Sequence, residues 1–195
     1  MDYFEVFGLP RKLGIDTAAL QRRFYELARE HHPDFHQASA PAALARAEEA
    51  SALVNAAYRA LRDPIARAEY LVRLEEGRDT KEGAAVKPKA PPELLAEMFE
   101  IQEALSEARV GGLDDDGRAA LAAQRERLAA RRAAEEARVA GALSEAWDAA
   151  SVADRPAVLA RVKAALATRA YLRTVIDDLA QALGEGDERV AHHRH

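Results

Sequence analysis

The 195-residue chain is 49% hydrophobic and 31% charged, the balance of a folded protein rather than a disordered one. Its net charge of −5, from 28 basic against 33 acidic side chains, does not advertise the concentrated basic surface that nucleic-acid binding needs. The absence of cysteine excludes disulfides and thiolate–metal sites, and no apolar run approaches the roughly 18 residues that cross a bilayer.

The opening MDYFEVFGLP is acidic and aromatic. It lacks the basic region, apolar core and cleavage site of a signal peptide, and the Arg-rich leader of a transit peptide. A cytoplasmic protein with no membrane attachment is expected. Ala, Arg, Glu and Leu dominate, all good helix formers, and no segment alternates with period two for long. The predicted class is all-α.

In chain order, the first long helix is predicted over DTAALQRRFYELAREHH. Asp16 is a good N-cap, because its carboxylate can accept from the free N–H groups of the first turn. Leu20, Phe24 and Leu27 recur at i, i+4, i+7 as a core stripe. At about 100° per residue, Arg22 and Arg29 project almost opposite that stripe and Arg23 flanks it. Pro33 ends the helix, since its ring disfavours helical geometry at His32. A second helix is predicted over about 41–62, its small-residue face made of Ala47, Ala50, Val54, Ala57, Tyr58 and Leu61. Asp63 and Pro64 then restart helix as cap and first helical residue. Residues 1–76 therefore read as an antiparallel helical hairpin with short flanking helices.

GRDTKEGAAVKPKAP, residues 77–91, reads as a linker. Beyond it, helical runs are predicted over about 92–109, 115–149 and 155–183, joined by short turns, so that 92–184 forms an antiparallel three-helix bundle. Residues 185–195 have no periodicity and are expected to be a disordered tail, whose three histidines could hold a metal only loosely. In the first run Leu94, Met98, Ile101 and Leu105 make a core stripe; in the last, Leu172, Ile176, Leu179 and Leu183 do so. Leu95 and Phe99 lie about 100° to one side of the first stripe, beside Ala96, Glu100 and Glu103. That extra apolar arc is either a wide buried face or an exposed patch rimmed by carboxylates, the mark of a protein-binding site.

The stretch AREHHPDFH, residues 28–36, concentrates three of the six histidines. It lacks the helical i, i+4 histidine pair with a nearby carboxylate that zinc proteases use, and Pro33 breaks the helix between its histidines. A helix-to-helix tip is also a poor cleft for acid–base catalysis. No nucleophile–base constellation and no Gly-rich phosphate loop occur elsewhere. No catalytic residue, metal or cofactor is expected, and the chain should not hydrolyse ATP itself.

His32-Pro33-Asp34, between a basic amphipathic helix and a second helix, resembles the signature of the J domain, as does the start DYFEVFGLP with Tyr3 and Phe4. J domains stimulate ATP hydrolysis by chaperones of the heat-shock-seventy class. MDYF…FGLP, RAEYL at 67–71 and the three-helix second domain extend the resemblance to the HscB family, J-protein co-chaperones of iron–sulfur cluster assembly. The Gly/Phe-rich segment and cysteine repeats of general J-proteins are absent.

The resemblance implies two partners, the chaperone HscA and the scaffold protein IscU, with a monomeric chain joining them. It implies a chaperone-binding surface of His32, Pro33, Asp34, Arg22, Arg23 and Arg29. Asp34 would form a bidentate pair with a chaperone arginine, and the helix arginines would steer association. It implies scaffold contacts at Leu95, Ala96, Phe99 and Tyr171, with Glu100 and Glu103 at the family's acidic positions. Ala96 stands where a larger residue is common, and Tyr171 where a phenylalanine is. The alternative is a general J-protein delivering another client to a DnaK-type chaperone.

Overall fold

The structure, a computed structural model, describes residues 1–32, 40–77 and 92–184, and helices are the only regular elements among them. They fall into two compact units. One comprises Met1–Gly83 and Val139–Lys163, the other Ala84–Arg138 and Ala164–His195.

In the first unit α1 (Tyr3–Val6) is closed by a reciprocal capping box. Asp2 accepts from the Glu5 N–H at 3.0 Å, and Glu5 accepts from the Asp2 N–H at 2.8 Å. Phe4 is wholly buried, and the Tyr70 ring stacks on Tyr3 at 4.4 Å while its hydroxyl accepts from the Tyr3 N–H at 2.8 Å. Burial pushes the Tyr70 phenol up, and the Tyr3 N–H partly opposes that shift. The hairpin follows as α2 (Thr17–Glu30) and α3 (Pro41–Arg62). Leu20, Leu27, Val54, Ala57 and Leu61 are buried between its arms, and Phe24 stacks on Tyr58 at 4.1 Å. Helix α4 (Pro64–Glu75) starts on the Asp63 cap, which accepts from the Ile65 and Ala66 N–H groups at 3.0 and 2.8 Å.

The run predicted over 115–149 is interrupted. Helix α6 (Asp115–Arg138) passes into a π turn, Val139–Leu143, before α7 (Ser144–Ala149). The Ser144 hydroxyl donates to the Val139 carbonyl at 2.6 Å, five residues back, which is the spacing of the wide turn. Val139, Leu143 and Trp147 are buried in the first unit together with the start of α8 (Arg155–Ala182).

The second unit is built from α5 (Leu95–Gly111), preceded by a 3-10 turn at Pro92–Leu94, from α6, and from α8 beyond Ala164. Gly112, at φ +76°, makes the turn that separates α5 from α6. Leu94, Ile101, Leu105, Leu121, Leu128, Leu172, Val175, Leu179 and Leu183 form its core. The sequence stripe of α8 is shifted by one residue at its middle, since Val175 is buried and Ile176 only partly so. The Met98 side chain, residues 78–91 of the expected linker and the expected tail at 185–195 lie outside the described residues. Arg118 at the start of α6 donates to the Leu183 carbonyl at 3.0 Å, while Arg169 in α8 pairs with Glu136 near the end of α6 at 2.8 Å. These two contacts fix α6 and α8 as antiparallel neighbours.

Candidate functional site

The first candidate surface is the outer face of α2. Asp16 caps it by accepting from Ala18 and Ala19 at 2.9 and 3.0 Å. The hydrogen bond from the Ala19 N–H, followed by that from Ala18 and the charge of Arg22, holds this carboxyl below its usual range. Arg22, Arg23 and Arg29 are all exposed, and Arg23 is tied to Glu26 at 2.9 Å. The helix, predicted through His32, closes two residues earlier, at Glu30. His31 caps its C-terminus with an N–H to the Leu27 carbonyl at 3.0 Å, and exposed His32 donates to the Arg29 carbonyl at 3.4 Å. Pro33, Asp34 and His36 lie outside the described residues.

Sequence reasoning missed Tyr25, which is 61% exposed between Arg22 and Arg29. At about 100° per residue it falls on their side of the helix, about 140° from Leu20, so the same geometry that placed the arginines places the tyrosine with them.

The second candidate surface lies on α5. Leu94 in the turn before it and the inward positions Ile101 and Leu105 are at most 4% exposed, whereas Leu95 is 46% and Phe99 76% exposed. Ala96, Glu100 and Glu103 are exposed as well. These five residues span an arc of about 140° around the helix. Glu97 is turned away from that arc and accepts from Gln124 at 2.9 Å and Arg131 at 3.4 Å on α6. Tyr171 stands apart from the open arc. It is half-buried against the core, and it lines a small cavity with Leu94, Glu97, Ile101, Leu128, Leu172 and Val175. Its hydroxyl is shielded from solvent without a hydrogen-bond partner among the described residues. Burial, then the charges of Asp178 and Glu97, pushes the phenol up. Among the described residues no group of three or more His, Asp or Glu side chains is arranged to hold a metal ion.

Comparison with known families gives two matches in one chain. Residues 2–70 match the DnaJ domain, and residues 90–155 match the HSCB C-terminal oligomerisation domain. The chain belongs to the HscB family. Among solved structures it is similar to the chaperone HscB from Vibrio cholerae, with 24% identity and a TM-score of 0.60 over 93% of this chain and 96% of that one. It is similar also to the human co-chaperone protein HscB, with 24% identity and a TM-score of 0.63 over 93% of this chain and 81% of that one. At that identity the likeness speaks to the fold, and it extends the HscB architecture over nearly the whole chain. Within it, the J-domain match takes in the capping box of α1, the α2–α3 hairpin and Tyr70, while the C-terminal match takes in the exposed arc of α5.

Proposed function

We propose that the chain is a co-chaperone of iron–sulfur cluster assembly, binding the scaffold protein IscU and delivering it to HscA. The observation that carries this reading is the union of a J domain with a helix whose Leu95 and Phe99 stand exposed beside Glu100 and Glu103. Exposed large apolar side chains rimmed by charge suit a protein partner. His32, Pro33 and Asp34 engage HscA and stimulate its ATP hydrolysis, with Arg22, Arg23 and Arg29 steering the encounter. Leu95, Ala96 and Phe99 make the apolar scaffold contact and Glu100 and Glu103 face its basic groups, with half-buried Tyr171 contributing only from the core side of the bundle. Residues 1–76 carry the chaperone-binding surface and 92–184 the scaffold-binding one, joined by the 77–91 linker, with Val139–Lys163 belonging to the first unit. Holding both partners at once raises their effective mutual concentration. The chain itself turns over no ATP, carries no cofactor and works in the cytoplasm as a monomer.

Binding of the purified chain to purified IscU and to HscA, separately and then together, tests the proposal. Capture of both in one complex is expected. Binding to a DnaK-type chaperone with no affinity for IscU would replace it with a general J-protein.

A further inference from the structure

The loop that leads into α2 is held by residues far away in sequence. At the end of α7, Asp148 accepts from the Leu13 N–H through Oδ1 and from the Gly14 N–H through Oδ2, each at 2.7 Å. Next to it, the Trp147 indole N–H donates to the Arg11 carbonyl at 3.1 Å. Leu13 and Trp147 are each 1% exposed, so the contact is sealed by apolar burial. A Cβ on Gly14 would stand 2.8 Å from Asp148 Oδ2, closer than side-chain carbons approach, and only glycine fits there without a shift. On α4 the buried guanidinium of Arg67 donates to the Leu61 carbonyl. Two residues after Gly14 comes Asp16, the cap of α2.

We propose that Asp148 and Trp147 are positioning residues of the J domain. By fixing Arg11–Gly14 just ahead of the Asp16 cap, they set where α2 begins. They thereby set the placement of Arg22, Arg23 and Arg29 along that helix. The working J domain is then a composite of residues 1–76 and a hairpin drawn from the second half of the chain, beyond the 2–70 stretch that matches the family. The functional side of this inference rests on the co-chaperone reading above.

The test uses the full chain with Asp148→Ala and Gly14→Ala, singly and combined. Each single change should speed hydrogen exchange of the amides around residues 13 and 14 by roughly tenfold or more, as loss of charge-assisted hydrogen bonds implies. Each should also raise, several-fold, the concentration that half-saturates stimulation of HscA, with IscU binding unchanged. The double variant should be no worse than Asp148→Ala alone, because the added methyl clashes only with the carboxylate. General destabilisation would make the two effects add. Should Asp148→Ala not fold, Asp148→Asn, which keeps the shape and one acceptor, is read in the same way. Additive effects, or amides at 13 and 14 that stay protected, would overturn the inference. If the wild type itself fails to stimulate HscA, the co-chaperone reading falls, and amide exchange in the variants still decides the positioning role.

Discussion

Leu95 and Phe99 stand on a helix whose inward face is already filled by Ile101 and Leu105, with Leu94 in the turn before it, so their truncation opens no cavity. Leu95→Ala with Phe99→Ala should therefore change stability by no more than about 0.5 kcal/mol each, as at ordinary surface sites. IscU binding should weaken well beyond tenfold, since truncated interface anchors typically cost about 2 kcal/mol or more. Leu172→Ala, by contrast, removes a side chain only 1% exposed. It should destabilise the second unit by roughly 2–5 kcal/mol. Thermal melting and calorimetric binding on the same proteins separate the two kinds of residue. A large drop in melting temperature for the α5 pair would show that they are core.

Helix α2 couples a titrating cap to a charged face. The Asp16 carboxyl is held below its ordinary value of 3.8 in the folded chain, so its contribution is complete above that pH and is lost as pH falls through the folded value. The Ala18 and Ala19 amides should lose protection as the solution is acidified below about pH 4. Asp16→Asn, which accepts without titrating, should flatten that acid limb; an unchanged limb in amide exchange would assign it to another group. On the outer face, Arg22→Glu with Arg29→Glu should slow association with HscA, and wild-type association should weaken as salt rises, because exposed charges are screened. Salt-independent association rates would leave the arginines as a solvated face. The start of this helix was legible in the sequence and its end was legible to within two residues, because capping and proline chemistry act locally. The surplus apolar arc of α5 was legible too, but not whether it would be buried or open. The π turn was not, since one extra residue near Gly141 leaves no periodic trace. Nor was the choice of Val175 over Ile176, which one helix position of rotation against two neighbours decides. The hold of Asp148 on Leu13 spans 135 positions and has no local signature at all.

At the scale of the whole molecule, the described residues keep little apolar surface for self-association. Among the described residues the large apolar side chains left exposed are Met1, Tyr25, Leu95, Phe99 and Val152, scattered over both units. A specific protein interface buries roughly 1,200 Å² or more, so light scattering should return a monomer mass; a concentration-dependent dimer would redirect the α5 patch to a second copy. No helix among the described residues is long and apolar enough to cross a membrane. The central claim is that a J domain drives a chaperone through His32, Pro33 and Asp34. It is tested most directly by single-turnover ATP hydrolysis by HscA, with wild-type chain, His32→Gln and Asp34→Asn compared at equal concentration. The wild type should accelerate hydrolysis and both variants should leave it at the basal rate, with unchanged melting. Stimulation by either variant equal to the wild type, or none by the wild type, would contradict the account.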